Sequence, residues 1–137
     1  LWVGDSRAYR FRRGGLVQLS RDHSVVQELI DRGVLDASEA ESHPMAHVLS
    51  RAVGTEAELR TEAIHDQAMP GDQYLLCSDG LTKVVPEDVI ARLLRLPSVN
   101  AVADRLIAET LARGAPDNVT VIVISVEEVT ELMRIEP

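Results

Sequence analysis

Aromatic side chains are scarce in this sequence, at 3% of residues (one Trp, two Tyr and one Phe) against 45% hydrophobic residues in all. Burial must therefore rest on aliphatic packing, and 137 residues with that apolar share are enough for one core. There is a single cysteine, Cys77, so no disulfide can form within the chain. Set in an apolar run, it reads as a packed thiol in a reducing, cytoplasmic setting. No apolar run approaches the roughly 18 residues of a membrane span, and no basic-then-apolar leader is present, so neither a span nor a signal peptide is expected here. Positive charge is also short: 14 Lys and Arg face 22 Asp and Glu, for a formal net charge of -8. That balance argues against nucleic acid and anionic membranes as partners, and it suits a cation better. An initiator Met is lacking as well. The chain starts at Leu1-Trp2-Val3-Gly4, which reads as the middle of a strand, and the expectation is a piece of a longer polypeptide.

The patterns present describe a mixed fold. Residues 8–12 alternate with period two, Arg13-Gly14-Gly15 supplies a hairpin turn, and residues 16–19 return as a second strand. Ser24 caps a helix with apolar positions Val25, Val26, Leu29 and Ile30, ending at Gly33. Asp36 and Glu39 form a capping box for a second, short helix. Residues 43–54 hold two histidines, a proline and little pattern, and read as a mobile surface flap. A weak strand over 59–64 precedes the turn Met69-Pro70-Gly71-Asp72. Then comes the stretch around which the chain is organised, Gln73-Tyr74-Leu75-Leu76-Cys77-Ser78-Asp79-Gly80-Leu81, an apolar strand running into a carboxylate and a glycine. Pro86 opens one helix with Glu87 and Asp88 at its positive end, and Ser98 caps a longer one with Gly114 just past its end. Residues 119–126 are apolar almost throughout, as in a strand covered on both faces. Residues 127–137 read as a tail or linker. Helices against an antiparallel sheet make the fold class α+β.

Three carboxylates sit at strand ends. Asp79 ends the central strand, with Gly80 letting a backbone or ligand come close; Asp117, beside Asn118, directly precedes the last strand; Asp5 follows the first apolar residues. Each alone is as readily a turn residue. Together they make a site hypothesis, because two carboxylates side by side in a sheet repel by roughly 4 kcal/mol at an effective dielectric near 20 and need a proton or a cation between them. Aspartates without clustered Cys or His favour magnesium or manganese, ions used to activate water and clamp phosphoryl oxygens. Lesser candidates are Asp22 and His23, read as an anchor for the helix at Ser24, Arg51, read as an ion-pair partner, and His43 and His47 in the flap.

Taken in order, Val3-Gly4-Asp5-Ser6-Arg7-Ala8-Tyr9, Arg21-Asp22-His23-Ser24, Leu49-Ser50-Arg51-Ala52-Val53-Gly54, Leu75-Leu76-Cys77-Ser78-Asp79-Gly80-Leu81 and Gly114-Ala115-Pro116-Asp117-Asn118-Val119-Thr120 resemble the C-terminal motifs of the PP2C-type (PPM) metal-dependent serine/threonine protein phosphatases in their bacterial form. The resemblance covers residues 1–126. It implies part of a four-layer α-β-β-α sandwich with two stacked antiparallel sheets. It also implies two or three Mn2+ or Mg2+ ions in the full-length protein, acting on phosphoserine and phosphothreonine in protein substrates, often alongside a cognate serine/threonine kinase. By motif, Asp79 and Asp117 would ligate the second metal, Asp5 and Asp79 the third, and His47 lies where bacterial members use a flap residue. Gly80, Asn118, Ser6, Arg7, Asp22, His23 and Arg51 would support the site. The family's N-terminal half is not matched: its acidic motif, its phosphate-binding arginine and its Gly-Asp-Gly segment have no counterpart here. The expectation is therefore a chain that is inactive alone, and the alternative is a non-catalytic module binding a partner protein or a cation.

Overall fold

The computed structural model describes residues 1–55 and 57–128. Four antiparallel strands form one sheet in the order β2-β1-β3-β4: β1 Arg7–Arg12, β2 Gly15–Gln18, β3 Gln73–Cys77 and β4 Val121–Ser125. The hairpin register pairs Arg12 with Gly15 across the expected turn. Alternation then sorts the side chains. Tyr9, Phe11, Leu75 and Cys77 point into the core, joined by the partly buried Val121 and Val123. Two helices, α3 Glu87–Leu93 and α4 Val99–Ala112, cover that face and contribute Ile90, Leu94, Val102 and Leu106.

The first half of the chain supplies α1, Val25–Asp31, capped by the Ser24 hydroxyl accepting from the Gln27 N–H at 3.2 Å. A 3-10 helix, Ala37–Ser42, follows. No Asp36–Glu39 capping box forms there. The Asp36 carboxylate instead accepts from the Ser38 N–H and hydroxyl, a local turn contact that competes with a full α-helical turn.

Three strand expectations change. Residues 1–4 are no strand, since only Trp2 bridges to Glu62. The predicted strand at 59–64 reduces to the other side of that single bridge, because no neighbouring strand offers it a continuing ladder. β4 is covered on one face alone: Ile122 and Ile124 are 53% and 45% exposed, because one sheet stands here with helices on one side. A four-layer sandwich is thus not what these residues form by themselves. Of the tail, residues 129–137 lie outside the described residues. Among the described residues, no helix is long and apolar enough to cross a membrane.

Candidate metal and phosphate site

Asp79 is placed by two local features. Residues 73–77 form the central strand, and Ser78 then turns the chain into a four-residue helix, α2 Asp79–Thr82, with Asp79 in its first turn. Asp79 is therefore a helix-start residue rather than the turn that an Asp-Gly pair suggests. Asp117 is brought to it by the opposing loop. Cys77 pairs with Val121, the Ser78 N–H donates to the Thr120 carbonyl at 3.0 Å, and the Thr120 N–H donates to the Ser78 hydroxyl at 3.0 Å. The Ser78 hydroxyl also donates to the Asn118 carbonyl at 3.3 Å, and the Asn118 N–H donates to the Asp117 carboxylate at 2.8 Å. Gly80 lets the two segments meet: a Cβ there would run into the Asn118 carbonyl, with its carbon 2.9 Å away.

The two carboxylates converge on one cation, the Lys83 ammonium, which lies 2.5 Å from Asp79 Oδ2 and 2.8 Å from Asp117 Oδ2. The hydrogen bond from Lys83 holds the Asp117 carboxyl below the usual carboxylate range, and the two aspartates raise Lys83 well above the usual amine range. Sequence reading missed Lys83. Two signals pointed to it: it stands one helical turn after Asp79, and it is the sole lysine in a chain with thirteen arginines.

Asp5 borders the same space. Burial raises its pKa, and the Asp79 charge raises it further. Its loop is held from an unexpected direction. Gly4, at φ +98, donates its N–H to His23 Nδ1 at 3.0 Å and accepts from the His23 N–H at 2.9 Å. His23, 4% exposed and stacked on Trp2, thus anchors the Asp5 loop as well as preceding Ser24, which corrects the reading of it as a helix anchor alone. Asp22 is fixed by Arg7, whose Nε and Nη2 donate to it at 3.0 and 2.7 Å; Arg7 Nη1 also donates to the Tyr9 hydroxyl. Ser6 is exposed. Arg51 pairs with Glu62 at 3.1 Å, as its ion-pair reading expected.

A cavity of about 550 Å³ lies over this group. Asp5, Arg7, Asp22, Asp79 and Lys83 line it, as do Val26, Gln27, Ile30, Ala46 and His47 from α1 and the flap. His47 therefore lines the same cavity as Asp5 and Asp79, whereas the His43 ring accepts from the Met45 N–H. Cys77 lies under the site in the core, and burial pushes its thiol up to about 11, so it is a packing group at neutral pH. Two carboxylates already sharing one cation suit a hard divalent ion as two of its ligands. Among the described residues, no three His, Cys, Asp or Glu side chains come together as a complete ion site.

No family model matches the chain. Individual proteins do. The serine/threonine protein phosphatase PstP of Mycobacterium tuberculosis is 44% identical over 124 residues, 90% of this chain and 24% of PstP. A solved structure of that organism's PstP superposes with a TM-score of 0.87 at 42% identity, covering 92% of this chain and 53% of that one. The serine/threonine phosphatase stp of Listeria welshimeri is 37% identical over 123 residues, 89% of this chain and 49% of the relative. The catalytic domain of PstP solved in complex with two manganese ions superposes with a TM-score of 0.82 at 40% identity, covering 92% of this chain and 52% of that one. This chain spans a quarter to a half of the length of these relatives. In sequence and in fold alike, the chain is similar to part of these serine/threonine phosphatases.

Proposed function

We propose that residues 1–126 are the C-terminal part of a PP2C-like domain that hydrolyses phosphoserine and phosphothreonine in proteins with Mn2+ or Mg2+, and that they carry only part of its site. The observation behind this reading is that Asp79 and Asp117 share a single cation at the edge of the cavity. In it, Asp79 and Asp117 hold a divalent ion, and Asp5 lends charge to the same wall. Bound there, such an ion supplies Lewis acidity toward water and phosphoryl oxygens. The Arg7–Asp22 pair keeps the polar wall rigid, and the apolar side of the cavity meets the substrate's peptide. A phosphorylated protein is the substrate class, a cognate kinase is the natural partner, and the cytoplasm, where the free buried Cys77 stays reduced, is the setting.

Two carboxylates on an open rim bind an ion weakly. The 137-residue chain with Mn2+ is accordingly expected to leave p-nitrophenyl phosphate intact, whereas the complete domain turns over a phosphothreonine peptide and loses that turnover on Asp79→Asn. Turnover by the short chain that disappears on Asp79→Asn would overturn the partial-site reading. Turnover by the complete domain that survives Asp79→Asn would overturn the metal reading. One observation favours a module that binds a cation or partner without hydrolysis: no complete ion site exists among the described residues. A complete domain that binds Mn2+ through Asp79 and never turns over would establish it.

A further inference from the structure

We infer that Lys83 is a built-in competitor for the metal: its ammonium neutralises Asp79 and Asp117, and a divalent ion must displace it to bind. This inference rests on the metal reading above and adds a residue that sets the affinity. Both carboxylates are engaged by one ammonium, at 2.5 and 2.8 Å. An ion bridging the two Oδ2 atoms at ~2.0–2.2 Å would occupy the space that the ammonium fills, and its charge competes with the ammonium for the same carboxylates. The side chain has somewhere to go, since Lys83 lines the cavity of about 550 Å³ and is 28% exposed. Its backbone does not need to move: Lys83 closes α2, with its N–H donating to the Asp79 carbonyl at 2.9 Å, so the exchange involves only the flexible stem.

The composition makes the exchange visible. Lys83 is the sole lysine, so an amine-acetylating reagent has one side-chain target, and the N-terminal amine serves as internal reference. While it is paired to two carboxylates, Lys83 is shielded; once displaced into the cavity, it is free to react. Uncharged substitutes remove the competitor and leave both carboxylates to the ion.

The test has two arms on the 137-residue chain. In the first, Mn2+ is titrated and the paramagnetic resonance signal of the free ion is followed. Lys83→Met and Lys83→Gln are expected to bind Mn2+ tighter by on the order of tenfold, and Asp79→Asn to abolish binding in either background. In the second, Mg2+ is expected to accelerate acetylation of Lys83 severalfold relative to the N-terminus, read by intact mass. A circular dichroism melt of each variant separates weak binding from loss of fold, and the labelling arm needs no variant at all. If Asp79→Asn abolishes binding while both Lys83 variants bind no tighter than the parent and Mg2+ leaves the labelling rate unmoved, the competitor role is overturned and the metal reading stands. If Asp79→Asn and Asp117→Asn leave Mn2+ binding unchanged with Lys83 present or replaced, both are overturned.

Discussion

A side chain at position 80 would collide with the loop that carries Asp117. The space beside Gly80 is taken by backbone, the Asn118 carbonyl and Val119 Cα at 3.4 Å, which cannot rotate away as a side chain could. Gly80→Ala is therefore expected to push that loop outward and to destabilise the fold by about 1–3 kcal/mol, the usual cost of overpacking. The midpoint of urea unfolding measures this, and an unchanged midpoint would show that the loop gives way freely. The need for a residue without Cβ was legible, since glycine directly after a strand-end aspartate announces a close approach. What approaches was not. The same holds for Lys83: its spacing from Asp79 could be read in the chain, but its second partner, Asp117, comes from the far side of α3 and α4 in sequence.

At the scale of elements, β1 is tied to the turn before β3 by a half-buried ion pair. Arg12 donates from Nε and Nη2 to the Asp72 carboxylate at 2.7 and 2.6 Å, and the Met69 N–H adds a third bond at 2.7 Å. Arg12 above all holds the Asp72 carboxyl well below the ordinary 3.8. A carboxylate whose folded pKa lies below its unfolded one stabilises the fold fully above the unfolded value and loses that contribution as pH falls toward the folded one. The melting temperature is thus expected to be level with respect to this group at neutral pH and to fall on acidification below about pH 4. In Arg12→Met the melting temperature is lower at neutral pH and the acid slope is flatter. An acid slope identical to the parent's would assign acid sensitivity to other carboxylates. Element starts such as Ser24 and Pro86 could be read locally because a cap acts within one helical turn. The single-bridge encounter of Trp2 with Glu62 could not, because a strand needs a partner that no local pattern names.

For the molecule as a whole, the sheet is clothed on one side. Leu76, Ile122 and Ile124 stand on the open face at 41%, 53% and 45% exposure, and Val17 joins them from β2. Each side chain is about half covered and forgoes roughly half of the ~1.5–3 kcal/mol that full burial gives, so the face favours association. Sedimentation of the 137-residue chain is expected to show association that rises with concentration. The double variant Ile122→Thr, Ile124→Thr is expected to shift it toward monomer with little change in melting temperature, since both side chains already contact water. A parent chain that stays monomeric at every concentration would contradict this. The amino-acid order by itself determined the hairpin, the helices with the Ser24 cap (Ser98 starts its helix without a side-chain cap bond), the central apolar strand and the aspartates at its end and before the last strand, because each is written in residues a few positions apart. Only the tertiary structure decided that Lys83 stands between Asp79 and Asp117, that His23 holds the Asp5 loop, and that β4 is bare on one face. Those outcomes depend on which distant backbones pair and in what register, and the free energy of that choice belongs to the assembled sheet rather than to any stretch of the chain.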